Sequence, residues 1–127
     1  MDKQDLFALV ERGDAAGLKA ALADGADPKT RDGAGVSLLF AAAGRGDDRL
    51  VALLLSAGAE VDRSCDAGNT PLMAACAKGS AAVVARLLDA GADPGHGNKW
   101  AIGPRDWAKW ADASEEILSL LRQPGRA

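Results

Sequence analysis

The 127-residue sequence contains no tyrosine, one histidine and two cysteines. One histidine and two separated cysteines are too few for a zinc-type ligand set. Two cysteines also exclude the disulfide framework that holds many small secreted domains. The longest strongly apolar run, residues 50–55, is far too short to cross a membrane. Because aromatic residues are scarce and alanine is frequent, we predict a thin core between closely packed helices.

The charges are mild and dispersed. The chain carries 15 basic and 18 acidic residues, for a net charge of −3. No cluster of lysine or arginine exceeds a pair, so no nucleic-acid surface is indicated. The N-terminal residues 1–5 include acids and lack a long apolar stretch, which is not typical of a secretory signal. We therefore expect a cytoplasmic protein that binds neither nucleic acid nor membrane.

Three glycines, Gly25, Gly58 and Gly91, lie 33 residues apart within similar phrases. When the chain is laid out in rows offset by 33 residues, several kinds of position align: Phe7, Phe40 and Met73; Gly13, Gly46 and Gly79; Leu22, Leu55, Leu88 and Leu121; Ser37, Thr70 and Gly103. The coincidences cover apolar, glycine and helix-capping positions together. A fixed period near 33 residues is typical of a solenoid built from one repeated unit.

The third row predicts two short helices. Thr70 is expected to cap the first helix through its hydroxyl, with Pro71 at the first helical position. Gly79 ends that helix, and Ser80 caps a second helix over about 81–89. Isolated helices of this length are marginal in water. They become stable by burying their apolar stripes against neighbouring rows, so the unit has to be repeated.

The third row also carries the most specific motifs: Gly-Asn-Thr-Pro-Leu at 68–72, Ala74-Ala75, Gly79, and Leu-Leu-Asp-Ala-Gly-Ala-Asp at 87–93. At these positions the chain resembles the ankyrin repeat family. The resemblance implies an all-α, ankyrin-type helix-turn-helix solenoid with short hairpin-like loops. It implies one domain, 1–127, with four repeats at about 2–31, 32–64, 65–97 and 98–125, the last helix ending at Gln123-Pro124-Gly125.

Some positions depart from the family pattern. The second row has Ser37-Leu38 where the family has Thr-Pro. The usual histidine of the first helix is replaced by Phe40, Met73 and Asp106, which removes a hydrogen-bonding network common in the family. In the fourth row Asp112 replaces the glycine in the middle of the repeat. These departures bear on local stability more than on the fold.

Residues suited to chemistry are few. His96 lies in a glycine-rich loop, a poor place to hold a general base. The acidic pairs Asp47-Asp48 and Glu115-Glu116 lie at predicted helix starts, where they favourably meet the helix dipole. Cys76 falls in an apolar helical run and is expected to be buried, whereas Cys65 lies in a loop. We expect no enzyme, no metal and no cofactor.

The resemblance implies that a partner protein meets the loop tips and the exposed side of the first helices. The corresponding candidate positions in this chain are Val36, Arg45, Asp66, Asn69, Lys78, Lys99, Trp100, Ile102 and Trp110.

All three tryptophans lie within 100–110. Trp107 aligns with Ala41 and Ala74, which face the stack, so we predict a core position for it. Trp100 and Trp110 align with candidate contact positions and could anchor a partner, because tryptophan buries a large area with few torsions to freeze. They could equally fold over the exposed end of the stack and seal it.

Two functions fit these observations. One is a small adaptor or scaffold that binds partner proteins through its concave loop and first-helix face. The other is a dedicated inhibitor or immunity-type protein that occludes one enzyme or toxin. Four repeats exceed the roughly three that stability requires, so we expect a monomer.

Overall fold

A computed structural model describes residues 2–122 and contains eight short α-helices in that range. In chain order they are α1 (Lys3–Arg12), α2 (Ala15–Ala23), α3 (Leu38–Arg45), α4 (Asp48–Ser56), α5 (Pro71–Lys78), α6 (Ala81–Asp89), α7 (Pro104–Trp110) and α8 (Glu115–Arg122). One antiparallel bridge joins Arg31 to Ser37. The predicted all-α helical repeat is confirmed. The expected end of the last helix, at 123–125, lies outside the described residues.

The helices form two layers. The first helices of successive pairs, α1, α3, α5 and α7, contact one another in that order, and so do the second helices, α2, α4, α6 and α8. Each pair therefore packs on its neighbours along the chain, as in a linear stack. Fully buried leucine and valine side chains fill the space between the layers. The residues predicted to share one face of α6, namely Val83, Val84, Leu87 and Leu88, are all buried.

Polar side chains cap the second helices at corresponding positions. Asp14 Oδ1 accepts a hydrogen bond from the backbone N–H of Gly17 at 2.8 Å, and Asp47 Oδ1 does the same for Leu50 at 3.2 Å. Ser80 Oγ accepts from the third residue of α6 at 3.3 Å, which confirms its predicted role. Each cap satisfies an N–H group that the helix itself leaves unpaired.

The α5 N-terminus differs from the expected pattern. Thr70 occupies the N-cap with extended backbone, but its buried Oγ1 has no hydrogen-bond partner among the described residues. The Thr70 N–H instead approaches the Met73 sulfur at 3.5 Å, a weak acceptor. At the equivalent place in α3, Ser37 Oγ accepts from the Phe40 N–H at 3.0 Å. The hydroxyl cap predicted for Thr70 is therefore not formed, in keeping with the missing family histidine.

Two structural features favour glycine between the paired helices: a left-handed backbone and the close approach of a side chain from the next row. Gly13, Gly46 and Gly79 all have left-handed backbone, with φ of 70°, 71° and 83°. At Gly13 an added Cβ would also lie 2.5 Å from the Arg45 guanidinium, and at Gly46 it would lie 3.0 Å from Lys78 Cγ. A Cβ at Gly79 would meet nothing within 4 Å. The long side chain of one row thus packs over the glycine of the row before it.

Candidate functional site

Three turns project from the same edge of the stack, and they begin at Asp32, Cys65 and Asn98. In each turn the first residue donates its backbone N–H to the carbonyl of the fifth, at 2.9, 3.0 and 2.9 Å. Asp32 Oδ1 also accepts from the third and fifth N–H groups of its turn, and Asn98 Oδ1 does the same. Cys65 has no side-chain oxygen for these bonds, so its turn is held by backbone contacts.

The turns are joined across rows by backbone hydrogen bonds. The N–H of Asp66 donates to the Ala34 carbonyl at 3.0 Å, and the N–H of Lys99 donates to the Ala67 carbonyl at 3.2 Å. The side chains of Asp66 and Lys99 are exposed. These hydrogen bonds hold the backbones of Asp66 and Lys99 in place, and the side chains of both candidate contact residues stay accessible to a partner.

The predicted contact residues at the ends of the turns are only partly accessible. Val36, Asn69 and Ile102 each occupy the fifth position of a turn and are half-buried. Asn69 Oδ1 accepts a hydrogen bond from Asn98 Nδ2 at 2.9 Å. These side chains help hold the turns in register and expose one side to solvent.

Arg45 ties the second row to the first. Its Nη1 donates to the Glu11 carbonyl at 2.8 Å, and its Nε lies 3.5 Å from Asp47 Oδ2. The guanidinium is also the group that packs over Gly13. The side chain predicted to meet a partner thus already has partners within the stack.

A groove of about 380 Å³ crosses the faces of α3, α5 and α7. Its lining residues are Phe40, Gly44, Asn69, Met73, Ala74, Ala77, Lys78 and Trp107. The space exists because three small residues, Gly44, Ala74 and Ala77, lie among the large side chains of the neighbouring positions. Of the lining residues, Lys78 alone is charged.

Phe40, Met73 and Trp107 were not among the residues predicted to contact a partner. Periodicity identified them as apolar or as helix positions facing the stack. The signal that could have found the groove is the run of small residues at 44, 74 and 77, because small residues on adjacent helices leave room beside larger ones.

One tryptophan lines the groove, and a second contacts the first. Trp107 is half-buried against the core and also lines the groove, and its Nε1 is buried with no hydrogen-bond partner among residues 2–122. Trp110 meets it edge-on, with ring centroids 5.8 Å apart and an interplanar angle of 76°. Trp100 and Trp110 are 66% and 65% exposed. A side chain that sealed the stack would bury most of its ring, whereas these two leave most of theirs in water.

Residues suited to chemistry are scattered in the fold. Burial raises the pKa of the Cys76 thiol to about 12, which keeps it protonated and unreactive near neutral pH. Cys65 is half-buried in its turn, and His96 is half-buried in the loop after α6. Within residues 2–122 no group of three or more His, Cys, Asp or Glu side chains is arranged to hold a metal ion. None of the helices in that range is long and apolar enough to span a membrane.

Comparison with known protein families shows which family the chain belongs to. A family model described as ankyrin repeats matches three copies over residues 6–98, more than two thirds of the chain. The chain belongs to the ankyrin repeat family. Ankyrin repeats generally mediate protein–protein interactions and are typically not catalytic. No curated protein matches the chain. The match ends at residue 98, so α7, α8 and all three tryptophans lie beyond it.

Proposed function

We propose that this ankyrin repeat protein is a non-catalytic adaptor or scaffold that binds a partner protein through the groove and the turn tips beside it. The apolar groove across α3, α5 and α7, with exposed Trp110 at its edge, is the observation that carries the proposal. A pocket surrounded by aromatic and aliphatic side chains is the setting in which a few anchor residues supply most binding energy.

We propose that the fourth helix pair, α7 and α8, is a degenerate ankyrin repeat. Its helices α7 and α8 pack on α5 and α6 in the same order as the earlier pairs. We assign 98–125 to a fourth repeat within a single domain, 1–127. A cytoplasmic monomer is the form in which we expect the protein to act.

Groove-filling variants test the proposed site. Gly44→Leu should project its side chain into the groove, because a Cβ there would meet only Ala74 Cβ at 3.8 Å. Gly44→Ala is the matched control: it adds one methyl group and should stabilise α3 by up to about 1 kcal/mol through helix propensity. Both variants should keep the helical circular dichroism spectrum of the wild type.

The readout is capture of partners from a lysate of the native host. Wild type and Gly44→Ala should retain the same bound proteins, and Gly44→Leu should lose them. Equal retention by a folded Gly44→Leu protein would place binding elsewhere. One tightly held enzyme or toxin would favour the inhibitor alternative, whereas several weaker partners would favour an adaptor.

A further inference from the structure

Lys78 is the side chain that gives the groove its charge. It lies at the C-terminal end of α5, and its aliphatic stem packs over Gly46, where an added Cβ would be 3.0 Å from Cγ and 3.4 Å from Cε. The stem is therefore held against the neighbouring row, and the side chain lines the groove. Lys78 has no ion pair with any carboxylate in residues 2–122.

Three acids line a shallow depression with Lys78, and two of them are already paired. Asp47 and Asp48, which share a shallow depression with Lys78, pair with arginines. Asp47 lies 3.5 Å from the Arg45 guanidinium, and Asp48 forms two hydrogen bonds with Arg86, one of them 2.9 Å long. Lys78 thus forms no ion pair within residues 2–122, although carboxylates line the depression on one side of it.

Asp106 of the fourth row is not among the residues that line the groove. Asp106, at the start of α7, accepts a hydrogen bond from the backbone N–H of Gly103 at 3.0 Å. Glu11, on α1, lines the same shallow depression as Lys78, but no ion pair joins the two within residues 2–122. The groove thus combines an apolar lining with one cation that nothing in its wall neutralises.

We propose that the groove binds a partner segment in which a bulky apolar side chain has an aspartate or glutamate within a few positions of it. The apolar side chain fills the space beside Ala74 and Ala77, next to Trp107. The carboxylate pairs with Lys78. This inference rests on the proposed function, and it specifies the chemistry that selects the partner.

A random 12-residue peptide library displayed on phage provides the probe. Selection on the wild type should enrich a leucine or aromatic residue with an acidic residue within about four positions, one helical turn. Selection on Lys78→Glu should replace the acidic preference by lysine or arginine. Lys19→Glu changes the same charge on exposed α2 and is the matched control, for which the wild-type preference should persist.

A synthetic peptide of the wild-type consensus then gives affinities. Its affinity should fall about five- to tenfold on Lys78→Glu and less on Lys78→Ala, since the reversal adds repulsion to the loss of attraction. Replacing the peptide's acid by lysine should restore binding to Lys78→Glu. Circular dichroism of each variant verifies that the stack is folded, because glutamate at a helix C-terminus is itself mildly destabilising.

The outcomes separate the two proposals. Apolar enrichment with no acidic preference, or an acidic preference that Lys78→Glu leaves unchanged, would overturn the role of Lys78 and leave the groove as the binding site. No enrichment, or enrichment that Gly44→Leu does not affect, would overturn the proposed function as well.

Discussion

The third and fourth helix pairs follow the same backbone path, but they differ in whether glycine occupies the positions with positive φ. In the third row, Gly68 and Gly79 take positive φ values of 88° and 83°, which glycine adopts freely. In the fourth row the same positions are Ala101 and Asp112, with φ of 61° and 54°. A residue with a Cβ in this conformation costs roughly 1–2 kcal/mol.

The two rows also differ in exposure. The first helix of the third row buries six consecutive residues, Pro71 to Cys76, whereas α7 buries only Pro104 and Ala108. The fourth row carries both largely exposed tryptophans. The difference indicates that the fourth row contributes less to the stack and offers more surface to a partner. Strained residues beside exposed anchors are a common feature of binding segments.

Leucine deletions should show the largest contrast. Leu88 and Leu121 occupy equivalent positions and are both buried, but Leu88 lies between two rows and Leu121 at the end of the described stack. We expect Leu88→Ala to lower the free energy of unfolding by about 2–5 kcal/mol and Leu121→Ala by less. Urea unfolding followed by circular dichroism measures both. Equal losses would contradict the lower contribution of the fourth row.

Exchanging glycines between the rows should have the next largest effect. Ala101→Gly and Asp112→Gly should each raise the free energy of unfolding by about 1 kcal/mol, because the left-handed strain is removed. Gly68→Ala should lower it by more than Gly79→Ala. A Cβ at 68 would lie 3.1 Å from the Asn98 backbone, whereas one at 79 would have open space.

Thermal unfolding of the four glycine-exchange variants tests this expectation. Tryptophan fluorescence gives a row-specific readout, since all three tryptophans lie in the fourth row. If Ala101→Gly and Asp112→Gly left the fluorescence transition unchanged, the strain assigned to this row would be absent.

Substitution in the turns should have a smaller effect on stability and compares the third row with the second and fourth. Asp32 and Asn98 hold their turns with side-chain oxygens, and Cys65 cannot. Cys65→Asn should therefore raise the free energy of unfolding by about 1 kcal/mol through the added hydrogen bonds. Cys65→Ala is the control and should gain nothing. A stabilisation shared by both variants would show that removal of the thiol is responsible.

An ion pair between the second helices should give the smallest effect. Arg86 donates two hydrogen bonds to Asp48, and this contact lowers the pKa of Asp48 and raises that of Arg86. Ala81 and Ser119 occupy the corresponding positions one row later. The pair links α4 to α6, and its counterpart between α6 and α8 is missing from those positions.

The pH dependence of this pair has a definite sign. A lowered carboxyl pKa stabilises the folded state above the unfolded value, near pH 4, and that contribution disappears as the pH falls through the folded value. Both side chains are more than a third exposed, so the effect of Asp48→Asn should be about 1 kcal/mol or less at neutral pH. The difference from wild type should shrink as the pH falls below the unfolded value, near pH 4. A difference that stayed constant with pH would argue against the pair.

The repeat architecture and most of the third row could be predicted from the sequence. Glycine spacing, the Ser80 cap and the end of α5 at Gly79 are local signals, and each was confirmed. The hydroxyl cap of Thr70 was not formed, and the Thr70 N–H approaches the Met73 sulfur instead. The groove was not predicted, since its volume depends on side-chain sizes across three helices.

The predicted contact residues differ in how accessible their side chains are to a partner. Asp66, Lys99, Trp100 and Trp110 are exposed as a binding role requires. Arg45 was predicted to contact a partner, yet its guanidinium contacts the first row. A repeat pattern identifies which positions face outward but does not indicate which of them neighbouring rows already use.

Hydroxyl-radical footprinting of the protein with its bound consensus peptide would show which face of the stack the peptide covers. If the groove is the binding site, oxidation of Trp107 and Trp110 should fall severalfold on binding. Oxidation of Leu120, half-buried on α8 in the other layer, should stay the same. Unchanged oxidation of Trp107 and Trp110 together with protection of Leu120 would place the partner on the second-helix layer and contradict the account.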